Sequence, residues 1–295
     1  MKSLVVKRGV TVALNSLPPY SIALDGYVQG PEIDLENQRF SFDHHDKCIR
    51  LVTRATCQQV MDALLLGLDP TEFTAYINDV DADTVMAVWL LMNPEALKEE
   101  GMRHLVEVVG AIDSHGPAYK TLGDEESRAF HSVVMAPEKR ARRDKSYQTC
   151  DLVALLTECL ENLDRVAQEG LELENDPEPA QYEITHRGTS GWIMATGPGF
   201  LFSTLYDHGY TKAIAYTRIQ DGSYMYTVAK KSELVLNFPV GPASNERSIL
   251  GVLYRTEPGW GGGSTIGGSP RNEDGSASKL TPDQVFAIVE ALLKG

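Results

Sequence analysis

Apolar positions in the first half of the chain fall into short runs separated by stretches with helical spacing. YSIALDG (20–26) and FTAYIND (73–79) are compact apolar runs ending in Asp, and RFSFDHH (39–45) alternates apolar and polar before a His pair. Each predicts a strand. ATCQQVMDALLLG (55–67) predicts a helix with punctuation at both ends. Thr56 is placed to cap, Gln59 to complete a capping box and Gly67 to take the C′ position. VMAVWLLM (85–92) is apolar all round and predicts a buried helix, closed by Asn93-Pro94. Residues 138–168 carry good helix formers with no Pro after Pro137, and predict one long helix. Strands alternating with helices imply an α/β fold built on a largely parallel sheet.

The pattern changes near residue 170. LELENDPEPAQ (171–181) is acidic, holds two prolines and lacks periodicity, so 171–182 reads as a linker between domains at 1–170 and 183–295. Downstream, TKAIAYTRIQ (211–220) and SYMYTVAKK (223–231) flank Asp221-Gly222, a strong hairpin signal. The glycine-rich PGWGGGSTIGGSP (258–270) follows. TPDQVFAIVEALLK (281–294) predicts a final helix with Thr281 as cap, Pro282 at N1 and Gln284 closing a capping box. Together these predict a smaller α+β domain.

Composition narrows the function classes. The 295 residues hold 27 Lys and Arg against 41 Asp and Glu, a net charge of −14. That balance opposes a protein that coats long nucleic acid, which needs a basic face. No run approaches the roughly 20 apolar residues of a membrane helix. MKSLVVKRGV (1–10) has no long apolar core, so no signal peptide is expected. Cys48, Cys57, Cys150 and Cys159 show no C-x-x-C spacing and read as reduced thiols of a cytoplasmic protein.

The most informative stretch is INDVDADT (77–84), where Asp79, Asp81 and Asp83 alternate between a strand and a helix. Carboxylates this close repel one another unless a cation sits among them. An EF-hand counted from Asp79 would need Gly and Glu where Thr84 and Leu90 stand, so that loop is excluded. Asp43-His44-His45 follows another strand, with adjacent histidines facing opposite sides. Asp25 and Asp113 each end an apolar run beside a Gly. In a parallel sheet, the loops at strand C-termini converge on one crevice, so these four loops would build one oxygen-and-imidazole site. Such a donor set suits Mn²⁺ or Mg²⁺ better than structural zinc.

These motifs resemble the DHH phosphoesterase superfamily, which includes RecJ exonucleases, oligoribonuclease-type phosphatases and manganese pyrophosphatases. Residues 79–84 resemble its first motif, Asp25 the second, Asp43-His44-His45 the third and Asp113 the fourth. ALDGYVQGPEIDLENQRFSFDHH (23–45), VEVVGAIDSHG (106–116) and the Gly-rich tail are similar to blocks of the Myg-type exonucleases. The order here is second, third, first, fourth, as in a rearranged or circularly permuted domain. The resemblance implies a DHH-type catalytic domain with two Mn²⁺ or Mg²⁺ ions and a smaller DHHA1-like domain closing over the cleft. Asp25, His44, Asp81, Asp83 and Asp113 would be metal ligands, with Asp79 a further candidate. Asp25 would bridge the metals, Asp43 would orient His44, and His45 would contact the phosphoryl group. Gly261-Gly262-Gly263-Ser264 departs from the superfamily's Gly-Gly-Gly-His.

Backbone N–H groups of the Gly run, among them those of Gly262 and Gly263, could turn toward an anion. With Ser264 and Arg271 they are the candidate phosphate contacts, Arg271 because guanidinium pairs bidentately with phosphate oxygens. Arg218, Lys230 and Lys231 are softer candidates. Trp260 is the one aromatic placed to stack on a base, and His115 is a candidate support for the site. The expected activity is metal-dependent, exonuclease-like hydrolysis of short oligonucleotides or small nucleotides, with no long duplex, no membrane and room for a homodimer. Two alternatives stand beside it: a pyrophosphate or polyphosphate hydrolase, and a metal- and nucleotide-binding protein without turnover.

Overall fold

The computed structural model describes residues 1–116, 119, 123–173, 180–271 and 276–294. The chain divides into two compact units, Met1–Asp176 and Pro177–Gly295. Residues 174–179 of the expected linker lie outside the described residues.

The first unit runs β1 (Ser3–Val6), β2 (Ser21–Leu24), β3 (Glu32–Asp34), β4 (Arg39–Phe42), α1 (Thr56–Leu65), β5 (Thr74–Ile77), α2 (Ala82–Met92), α3 (Glu100–His115), α4 (Asp124–Val133), α5 (Ala136–Arg143) and α6 (Leu152–Glu169). Its sheet has the order β1-β5-β2-β4-β3. The first four strands are parallel, and β3 adds an antiparallel edge. β2 is buried at all four positions because both sheet faces are covered. Ile22 and Leu24 join the main core with α1, α2, α3 and α6, while Ala23 meets Leu14, Leu17, Tyr27 and Val28 on the other face. Helix α2 is buried from Ala82 to Leu91, as its uniformly apolar sequence requires.

Three local expectations are corrected. The long helix over 138–168 is two helices. Lys145 adopts φ 57°, and Asp151 caps α6 by accepting the Val153 N–H at 2.8 Å. Helix α1 is capped at Ala55, one residue early: Gln58 Oε1, not Gln59, accepts the Ala55 N–H (3.0 Å). Gln59 instead donates to the Asp43 and Arg54 carbonyls. Asp113 does not follow a strand. It lies in the last turn of α3, where Met102, Leu105, Val106 and Val109 form a buried stripe with helical spacing.

The second unit runs β6 (Glu183–Arg187), β7 (Ile193–Thr196), α7 (Phe202–Asp207), β8 (Lys212–Arg218), β9 (Tyr224–Lys230), α8 (Ile249–Thr256), β10 (Gly261–Gly262), β11 (Ile266–Gly268) and α9 (Pro282–Lys294). Its sheet order is β10-β11-β9-β8-β7-β6, antiparallel except for β7 with β8. Asp221-Gly222 turns β8 into β9, with Gly222 at φ 87°. Thr281 and Gln284 form the expected capping box on α9. Trp192, Tyr226 and Trp260 centre this unit's core. Among the described residues, no helix is long and apolar enough to cross a membrane.

Candidate metal centre

Parallel strands β2, β4 and β5 present their C-terminal ends on one edge of the sheet. Asp25 follows β2, Asp43-His44-His45 follows β4, and the 79–83 run leads from β5 into α2. Helix α3 brings Asp113 to the same place. Gly110 permits that approach: a Cβ there would stand 2.5 Å from the Gln58 side chain of α1.

His44 is the centre of the arrangement. Its ring is sealed from solvent, and Nε2 lies 2.8 Å from Asp113 Oδ2, 3.5 Å from Asp83 Oδ2 and 3.8 Å from Asp25 Oδ1. That nitrogen makes no hydrogen bond. On the other side of the ring, Nδ1 lies 3.4 Å from Ser114 Oγ.

The carboxylates are held by different groups. Asp25 sits at φ 48°, a left-handed conformation that Asp tolerates. Its Oδ1 accepts from Thr56 Oγ1 (3.0 Å), and its Oδ2 accepts from Thr84 Oγ1 (3.3 Å). Asp83 accepts the Thr56 and Cys57 N–H groups of α1 at 2.8 and 2.7 Å, one on each oxygen. The positive end of that helix therefore faces a carboxylate 26 residues further along the chain. His45 is half-exposed, with Nε2 at 2.9 Å from Asp25 Oδ1 and Nδ1 at 3.1 Å from Arg50 Nη1. A guanidinium only donates, so Nδ1 accepts and Nε2 carries the proton shared with Asp25.

The electrostatics favour a cation. Burial and then the charges of Asp25 and Asp113 push the Asp83 carboxyl up to about 7. Burial and the charges of Asp25, Asp113 and Asp83 also hold Asp81 well above the carboxylate range. Burial pushes Asp25 up too, but the hydrogen bond from His45, the electrostatic pull of the two imidazoles and the Thr56 hydroxyl outweigh it, leaving its pKa lowered. Asp25 in turn raises the pKa of His45 through their hydrogen bond. Among the described residues, two groups have ligand atoms within 4.8 Å of one another: Asp25 with His44 and His45, and His44 with Asp83 and Asp113. A buried imidazole nitrogen without a hydrogen bond, facing three carboxylate oxygens, is the donor set of a divalent cation bound by one imidazole.

The other expected residues of the first unit hold the backbone around the cluster or, like Asp81, lie within reach of its charges without joining either group. Asp43 does not orient His44. Its Oδ2 accepts the Gly30 N–H (2.7 Å) and its Oδ1 the His45 N–H (3.1 Å), so it fastens backbone around the His pair. Asp79 turns to the α5–α6 connection, where it accepts from the Tyr147 hydroxyl. Asp81 caps α2 through the Thr84 N–H (2.8 Å). Neither belongs to the two groups found among the described residues. The His115 ring packs against Tyr119, centroids 4.5 Å apart and tilted by 47°.

Gly262, Gly263, Ser264 and Arg271 belong to the second unit. A Cβ on Gly262 would collide with Gly267 across the β10–β11 hairpin, and the Gly263 N–H already donates to Ile266 O (2.8 Å). Close strand pairing thus explains Gly262, whereas a Cβ on Gly263 would meet nothing nearer than Ile266 O at 3.9 Å. Ser264 lies beside Glu233, whose pKa it helps to lower, and Arg271 is exposed. Trp260 is 1% exposed, with Nε1 on Glu257, so it is core and not a stacking platform.

Thr56, Thr84, Gly110, Ser114 and Arg50 complete the site; none of them has a place in it by sequence, where Thr56 reads only as a helix cap. The first four act through contacts between distant segments that no local pattern announces. Arg50 lies only five residues after His45, a proximity that could have marked it. No protein-family model, no curated protein and no solved structure matches this chain.

Proposed function

We propose that the protein is a divalent-metal-dependent phosphoesterase of the DHH type, hydrolysing short oligonucleotides or small nucleotides. In this reading the first unit is the catalytic domain with its motifs in rearranged order, and the second is a DHHA1-like domain. The four free cysteines accord with work in the cytoplasm. The observation that carries the reading is the sealed His44 Nε2, unbonded and facing Asp25, Asp83 and Asp113.

His44, Asp25, Asp83 and Asp113 would hold Mn²⁺ or Mg²⁺. Bound there, two such ions supply a water of lowered pKa and neutralise phosphoryl oxygens. Thr56 and Thr84 aim Asp25, and the α1 N–H groups aim Asp83. Ser114 Oγ is placed to accept the Nδ1 proton of His44, which leaves Nε2 with its lone pair toward the carboxylates. His45 holds a proton at Nε2, shared with Asp25 and available to a substrate oxygen.

The test is a screen of phosphoesters from dinucleotides through pyrophosphate, with Mn²⁺ or Mg²⁺ and with metal removed by chelation. Release of mononucleotide or phosphate that requires the ion supports the reading. Activity on pyrophosphate alone would replace it with an inorganic pyrophosphatase, and ion binding without product would replace it with a non-catalytic binding protein.

A further inference from the structure

The loop between β4 and α1 carries a cationic side chain that the motif reading did not use. Arg50 Nη1 lies 3.1 Å from His45 Nδ1, and Nη2 lies 2.9 Å from the Asp113 carbonyl oxygen and 3.4 Å from its Oδ2. The side chain is 44% exposed. Its guanidinium thus touches two residues of the acidic cluster while remaining reachable from solvent. Arg54, four residues on, pairs instead with Asp62 and Glu107. The sequence neighbours Ile49 and Leu51 are exposed aliphatics that bring no competing carboxylate to the fork.

Two of the closest acceptors of Arg50 are neutral, an imidazole nitrogen and a backbone carbonyl. Its carboxylate contact with Asp113 is long at 3.4 Å. A guanidinium forms its strongest pairs with two charged oxygens in its own plane, the geometry that a phosphoryl group offers. Resting on the phosphoesterase reading, we propose that Arg50 binds the substrate's phosphoryl group. It exchanges its bonds to His45 and Asp113 for a fork on two non-bridging oxygens. This gives the first unit its own phosphate contact, from a residue of the same loop that carries the His pair.

The experiment is calorimetric and needs no turnover. Mn²⁺ is titrated into wild type, Arg50→Ala and Arg50→Lys, and inorganic phosphate is then titrated into each Mn²⁺-loaded protein. Arg50→Ala should keep the wild-type Mn²⁺ stoichiometry and lose about 10- to 100-fold in phosphate affinity, the range for a lost charge-assisted pair. Arg50→Lys, which keeps the charge but not the fork, should lose less. For a cleaved substrate, KM should rise more than kcat falls. Phosphate binding as in wild type would overturn the assignment. Loss of Mn²⁺ in both variants would also overturn it and make Arg50 a structural tie between His45 and Asp113. A wild type that binds Mn²⁺ but no phosphate removes the assignment alone, and one that binds no Mn²⁺ overturns the phosphoesterase reading together with it.

Discussion

His44 faces three carboxylates through a nitrogen that nothing else satisfies, and Asp83 offers two oxygens already steered by the first turn of α1. Replacing either group should abolish ion binding without emptying the core of apolar volume. His44→Ala and Asp83→Asn are each expected to lower Mn²⁺ content by at least tenfold, read by elemental analysis after gel filtration. In wild type, Mn²⁺ at about 100 times its Kd should stabilise the fold by about 2.7 kcal/mol, because only the folded chain assembles the site. Thermal melts with and without Mn²⁺ measure this, and a wild-type-sized Mn²⁺ shift in both variants would sink the ligand assignment. The same residues show how far the sequence was readable. Asp25, His44 and Asp83 stand out because polar, metal-binding types follow apolar runs, and strand ends in a parallel sheet share an edge. The roles of Asp79 and Asp81 were not readable. Their alternation resembles a ligand run, yet Tyr147, 68 residues away, takes Asp79, and Asp81 spends one oxygen on the α2 N-terminus while staying within reach of the cluster's charges.

Two further contacts between elements position this site. The first is the crossing of α3 over α1 at Gly110, one turn before Asp113. A methyl group there meets the Gln58 side chain, which is itself tied to the Ala55 N–H and to Glu107. Gly110→Ala should destabilise the protein by about 1–3 kcal/mol through overpacking. It should also weaken Mn²⁺ binding, because α3 must shift and carries Asp113 with it. Denaturant midpoints and a Mn²⁺ titration on one preparation check both effects, and a stable variant with unchanged affinity would remove Gly110 from this role. The second is Tyr147, whose hydroxyl meets the Asp79 carboxylate and the Val80 carbonyl from the α5–α6 connection. Tyr147→Phe removes one of the donors to the Asp79 carboxylate, leaving the Val80 N–H, and should cost about 1–3 kcal/mol, measured in the same way. Neither contact is announced by periodicity. Good helix formers over 138–168 concealed the break at 144–151 because Lys145, Tyr147 and Asp151 act through backbone reversal, burial and capping. The apolar stripe before Asp113 fitted a strand end as readily as a helix until packing decided it.

At the scale of the molecule, the two units should answer to different solution variables. The carboxylate cluster belongs to the first. The second holds a buried acid of its own: Glu290 on α9 accepts from the Thr189 N–H and hydroxyl and from Trp192 Nε1, and pairs with Lys294. The Thr189 hydroxyl leads the effects that lower its pKa from 4.5 to about 2, with Trp192, the Thr189 N–H and Lys294 adding to it against the cost of burial. A depressed folded-state pKa means that the fold favours the ionised form. Its contribution is therefore complete above about pH 4.5 and is lost as the pH falls through that value toward about 2. Glu290→Gln keeps the shape and removes the charge, so at pH 7 it should cost about 1–3 kcal/mol, the value of charge-assisted bonds replaced by neutral ones. Between pH 4.5 and pH 2 the wild type should weaken toward the variant, whose own stability changes less over that window. Trp192 lies in this unit's core and donates to Glu290, so its fluorescence reports the transition directly. Urea midpoints at pH 7, 4 and 3 give the comparison. A gap between wild type and Glu290→Gln that stays constant across the three would show that the carboxylate's charge does not hold α9 to the sheet.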